Sequence, residues 1–129
     1  MMIAQKMHIV KTADIIEHRK AVATYFSAWQ RKDYSMMLKN AQKSWKLPKS
    51  AKLEAINWMR KTCSVIKIIK FDLQESSAAS EALSTTTVLV RAKIGKRMGQ
   101  LRLLVNVVEE QGHCGINPIS VLRGLSKNI

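Results

Sequence analysis

The stretch Leu101–Arg123, LRLLVNVVEEQGHCGINPISVLR, decides the fold. Leu101, Leu103, Val105 and Val107 recur at every second position, the period of a strand with one buried face. Glu109-Glu110-Gln111-Gly112 then reads as a tight turn, His113–Ile116 as a short return strand, and Asn117-Pro118 as the entry to a terminal coil. Upstream, the segment 65–74 is rich in Ile, Val and Phe, and the segment 82–94 puts Ser84, Thr86, Val88, Val90, Ala92 and Ile94 on one face. The connections at 76–80, 95–99 and 110–112 are short and carry turn-favouring residues, so the strands form an antiparallel meander. Such a sheet has one apolar face that needs a cover.

The cover comes from the first half of the chain. Ile15, Val22, Phe26 and Trp29 recur at helical spacing, with Ala21, Tyr25 and Ala28 widening the stripe and Arg19, Lys20, Gln30 and Arg31 facing away. Thr12 is placed to cap this helix, with Asp14 and Glu17 in the first turn, where the helix dipole favours negative charge. Lys32-Asp33 breaks the pattern, and Asp33 caps a second helix with Tyr34, Met37, Leu38, Ala41 and Trp45 on one face. Pro48 ends it, and Ser50 opens a third helix whose Leu53, Ile56, Met59 and Cys63 point inward. The reading is an arm at 1–12 followed by a single α+β domain at 13–129, N-terminal helices packed on a curved antiparallel β-sheet.

Charge is the abnormal quantity. Against 9 Asp and Glu stand 22 Lys and Arg, a formal net charge of +13 over 129 residues, which attracts polyanions or acidic partners over long range. No apolar run approaches the roughly 18 residues of a spanning helix, and lysines interrupt the first residues, MMIAQKMHIVK, so a cytoplasmic protein with no membrane span is expected. Cys63 and Cys114, far apart in sequence, read as two buried thiols rather than a disulfide scaffold.

The order of one long helix, two shorter helices and a hairpin-linked sheet resembles the nuclear transport factor 2-like, or cystatin-like, superfamily over about residues 13 to 123. The marks that carry it are the junction Ala28-Trp29-Gln30-Arg31-Lys32-Asp33-Tyr34 and the ending from Val107 to Pro118. The resemblance implies a cone with a pocket, often apolar, between helices and sheet, and pairing into a homodimer through the sheet's outer face. Ketosteroid isomerase, scytalone dehydratase, limonene epoxide hydrolase and polyketide cyclases are similar in shape and do chemistry in that pocket, whereas many similar proteins are catalytically silent. Where relatives carry an aromatic and a basic residue in the last strand, this chain has His113 and Gly115, a departure that weakens the strand.

Proton-transfer chemistry in such a pocket needs an inward, desolvated carboxyl and an oxyanion donor. The acids here fall at helix starts and turns, and Asp72, alternating with Phe71 and Leu73, points outward, so no catalytic residue is assigned. Tyr25, Trp29, Met37, Trp45 and Trp58 are the side chains large enough to line a pocket, although helical spacing makes them core residues first. His113 and Cys114 lie on opposite strand faces with His8 and His18 near the other chain end, so neither a metal site nor any other cofactor site is read. Cys63 and His113 lack the third group that a nucleophile pair needs, and Gly95-Lys96-Arg97-Met98-Gly99 is a hairpin turn rather than a phosphate loop.

Basic residues gather in two places. Arg31, Lys32, Lys39, Lys43, Lys46, Lys49, Lys52, Arg60 and Lys61 decorate the second and third helices, and Arg91, Lys93, Lys96, Arg97 and Arg102 crowd one hairpin as candidates for anion or nucleic-acid contact. The sequence therefore favours a non-catalytic domain that binds a ligand or a protein partner, with a strongly basic surface. Its alternatives are an accessory subunit that docks nucleic acid or an acidic partner through the basic hairpin and helices, and, third, an isomerase or cyclase-like pocket enzyme.

Overall fold

The computed structural model describes residues 14–43 and 52–128, with side chains described from Glu54 to Leu125 in the second span. The arm at 1–12 with its Thr12 cap, and Trp45, Lys46, Pro48, Lys49 and Ser50, lie outside the described residues. In chain order the elements are α1 (Ile15–Gln30), α2 (Tyr34–Lys39), α3 (Lys52–Cys63), β1 (Ile66–Ala78), β2 (Leu83–Ile94), β3 (Arg97–Glu110), β4 (His113–Ile116) and α4 (Pro118–Asn128). The strands form an antiparallel sheet in the order β1-β2-β3-β4, open at both ends, with the helices packed on it: an α+β fold.

Alternation sets which face is buried. Val88, Val90 and Ala92 of β2 and Leu101, Leu103, Val105 and Val107 of β3 turn inward against Val22, Tyr25, Phe26 and Trp29 of α1. The α1 aromatics interlock: Phe26 and Trp29 stack with ring centroids 6.0 Å apart, and Phe71 of β1 meets Phe26 at 5.7 Å. Burying each such side chain contributes roughly 2 kcal/mol.

Helix ends follow from local hydrogen bonds. Asp14, expected in the first turn, is itself the cap of α1 and accepts from the Glu17 N–H at 3.2 Å. Lys32, at φ 60°, takes the left-handed place after α1 that glycine commonly fills. The Lys32 and Asp33 N–H groups then bond back to the carbonyls of Trp29 and Ala28. Asp33 caps α2 as expected, but the helix stops at Lys39 and does not carry Ala41 on its face. Instead Ala41 bridges Ile116 of β4, fixed by Gln42 N–H to Ile116 O and Ile116 N–H to Asn40 O, both 2.9 Å.

Strand β1 carries two irregularities, between Ile68 and Lys70 and between Leu73 and Ser76, each absorbing one extra residue. Both are served from α1. The Gln30 carboxamide donates to the Ile69 carbonyl at 3.0 Å, and the Arg19 guanidinium donates to the Gln74 carbonyl and to Ser76 Oγ. Arg19 and Gln30 are therefore not simply solvent-facing: they turn back to the carbonyls that the bulges take out of the ladder.

The expected terminal coil is instead α4. Asn117 Oδ1 accepts from the Ile119 and Ser120 N–H groups at 3.0 and 3.4 Å, and Pro118 occupies the first helical position, where its missing N–H costs nothing. Val121 and Leu125 are buried against β3. Asn117→Ala is expected to lower stability by about 1 kcal/mol in a urea melt, the usual cost of a lost cap; an unchanged midpoint would show that α4 does not depend on it.

Candidate functional site

On the outer face of the sheet, antiparallel register sets cations directly opposite one another. Lys67 of β1 faces Lys93 of β2, and Lys70 faces Arg91. Arg102 of β3 stands opposite Leu89, and Gln100 opposite Arg91. Lys67, Lys70, Arg91, Lys93 and Arg102 are all exposed, and Asp72, 4.0 Å from Lys70 Nζ, is the acid among them. Like charges directly opposite in a sheet destabilise it. A cleft on this face is lined by Lys70, Asp72, Leu89, Arg91 and Gln100.

Of the anion candidates read from sequence, Arg91, Lys93 and Arg102 thus share one surface with Lys67 and Lys70, which hairpin-based reasoning left out because β1 is distant in sequence. Lys96 sits in the turn, where Gly95 takes φ 61°, and Arg97 opposes Ile94 at the rim on the opposite strand phase. Exposed Met98 and Leu104 lie among the outer-face cations, 53% and 71% accessible.

The pocket candidates are distributed differently. Tyr25 and Met37 are fully buried in the core, and Tyr25 Oη has no hydrogen-bond partner there, so burial holds its phenol well above the ordinary range. Trp29 is buried, donates its indole N–H to the Cys63 and Ile66 carbonyls at 3.0 and 3.1 Å, and borders a cleft with Gln30, Lys32, Tyr34 and Lys67. Trp58 is half-buried against the core, and Trp45 lies outside the described residues.

All nine Asp and Glu residues lie among the described residues, and none is buried. Asp72 points outward, as its alternation predicts. Cys63 and His113 are not brought together. Burial pushes the Cys63 thiol up to about 11, while His113 Nε2 bonds the Ala41 carbonyl at 2.8 Å.

A second constellation escaped the sequence reading. His18, fully buried on α1, shares a hydrogen bond through Nδ1 with Ser84 Oγ, and its Nε2 lies 3.5 Å from Glu109 Oε1 at the end of β3. Cys114 of β4 is in register with Glu109, its Sγ 4.0 Å from the same oxygen. Burial, then the carboxylates of Glu109, Glu17 and Asp14, raise the Cys114 thiol above its ordinary value. One histidine nitrogen, one carboxylate oxygen and one sulfur therefore converge within 4.8 Å of one another. The available signal was spacing: His18 falls three residues after Ile15 and four before Val22, on the buried stripe. No protein-family model matches the sequence, and none of the curated proteins searched is similar to it.

Proposed function

We propose that this protein is a non-catalytic binding domain, built like the nuclear transport factor 2-like proteins it resembles, that takes the phosphate backbone of nucleic acid on the outer face of its sheet. The observation that carries the reading is the direct opposition of Lys67 with Lys93 and of Lys70 with Arg91. These pairs cost stability in the free protein. A row of phosphates relieves that cost, and the released counterions favour binding. Self-association through the same face is the weaker reading, because it would set Lys67, Lys70, Arg91, Lys93 and Arg102 against the same five cations of a second copy. A pocket enzyme is weaker still, since general acid-base work by a desolvated carboxyl finds no buried acid.

Contact through cations with aliphatic neighbours is tolerant of sequence and sensitive to salt. If all five cations engage, log K against log salt has a slope of about −4.5 on duplex DNA, and affinity falls roughly 500-fold between about 50 and 200 mM salt. Fluorescence anisotropy with labelled duplex and single-stranded probes checks this. Absence of binding to either probe at the lower salt overturns the reading, and tighter binding to polyglutamate than to DNA or RNA reassigns the face to an acidic protein.

A further inference from the structure

We propose that His18, Glu109 and Cys114 form a binding site for one divalent cation of the zinc class. The donor set is an imidazole nitrogen, a carboxylate oxygen and a thiol sulfur, the mixture that a borderline-soft ion such as Zn(II) or Co(II) takes in tetrahedral coordination. Hard cations such as Mg(II) or Ca(II) prefer oxygen alone.

The separations agree with that assignment. Tetrahedral bonds of about 2.0–2.3 Å place nitrogen and oxygen donors about 3.4 Å apart and sulfur and oxygen donors about 3.6 Å apart. Here the Nε2 to Oε1 and Sγ to Oε1 distances are 3.5 and 4.0 Å, so the two separations from the carboxylate exceed the tetrahedral values by at most a few tenths of an ångström, and all three donors lie within 4.8 Å of one another.

An independent observation comes from His18. Its Nε2 is buried and makes no hydrogen bond, although it points toward Glu109. A buried polar nitrogen that makes no hydrogen bond costs on the order of 1–3 kcal/mol, less with a carboxylate oxygen at 3.5 Å, and coordination satisfies it. The other ring nitrogen is held by Ser84 Oγ, the outer-shell bond that orients a ligating imidazole. Of the three donors Cys114 lines a solvent-open cleft, shared with Glu17, Lys20, Thr24 and Lys39. The site would tie the first turn of α1 to the β3–β4 hairpin.

An imidazolium–carboxylate pair between His18 and Glu109 would share the same short distance, but it has no use for Cys114. The sulfur therefore separates the two accounts. The full chain, kept reduced, is titrated with Co(II). One equivalent per chain should bind with a thiolate-to-cobalt charge-transfer band in the near ultraviolet, and Zn(II) should displace it. Excess Zn(II) should raise the thermal midpoint. Cys114→Ser should abolish the band, and Glu109→Gln should weaken uptake by more than about tenfold, since even an outer-shell loss costs that much. Both positions are partly exposed, so circular dichroism should report an intact fold, and Cys63→Ser should leave the band unchanged. No uptake by the reduced protein overturns the proposal. So does a band that survives Cys114→Ser or disappears with Cys63→Ser.

Discussion

Gly115→Ala is expected to lose about 3–5 kcal/mol, the sum of an overpacked contact and the two backbone hydrogen bonds it would force apart. An added methyl would sit 2.5 Å from Gln42 Cα, 2.6 Å from Gln42 N and 2.7 Å from Ala41 O. These are main-chain atoms, pinned by the 2.9 Å bonds of Gln42 and Ile116, so they cannot swing aside as a side-chain tip would. The thermal midpoint should fall by roughly 10–20 °C for a domain of this size. Gly112→Ala makes the comparison instructive: φ there is 78° but nothing lies within 4 Å, so only the left-handed backbone is penalised, at about 1 kcal/mol. Gly124→Ala meets only Leu103 Cδ2 at 2.8 Å, a flexible tip that can rotate. A melt of Gly115→Ala within a few degrees of the parent would mean that the Ala41 crossing is not a fixed part of the fold.

Neutralising the outer face should move affinity and stability in opposite directions. In the triple variant Lys70→Gln, Arg91→Gln, Arg102→Gln, the slope of log K against log salt should become shallower by about 2.7, and nucleic-acid affinity near 50 mM salt should drop about a hundredfold. Without nucleic acid the same variant should be more stable by about 0.5 kcal/mol, because the Lys70–Arg91 opposition is gone. A face that served only solubility would give the stability gain with no loss of binding. Measuring anisotropy and urea melts on one preparation reads both quantities, and unchanged affinity would remove the polyanion role.

Sequence periodicity was sufficient for what depends on neighbours in the chain. The α1 stripe, the alternation of β2 and β3 and a turn ending at Gly112 are written locally, although Glu109 and Glu110, read as part of that turn, pair in β3 and leave a two-residue Gln111-Gly112 turn with φ of 52° and 78°. Long-range contacts were not. Ala41 fits a helical stripe, yet hydrogen bonding to Ile116 stops α2 at Lys39. Arg19 and Gln30 read as solvent-facing on a helical wheel, but the bulges whose carbonyls they satisfy follow from pairing with β2, not from residue type. The helix α4 was legible in Asn117-Pro118, a cap followed by a proline suited to the first turn, and reading that pair as the entry to a coil missed it. The His18, Glu109 and Cys114 grouping needed the sheet to bring residues 91 and 96 positions apart in sequence from His18 back to its helix, counting 109 − 18 and 114 − 18.

The doubled residues of β1 bear on how its length can vary. Ile66, Ile68, Phe71 and Leu73 are the inward positions, so the step from 68 to 71 carries one residue more than alternation requires. Excising Ile69 would leave every later side chain on its present side of the sheet, whereas excising Lys67 would turn the strand inside out between there and the bulge. Insertions and deletions in this strand are thus neutral to facing only where α1 already reaches over to hold the slack, and the helix acts as a ruler for the strand beneath it.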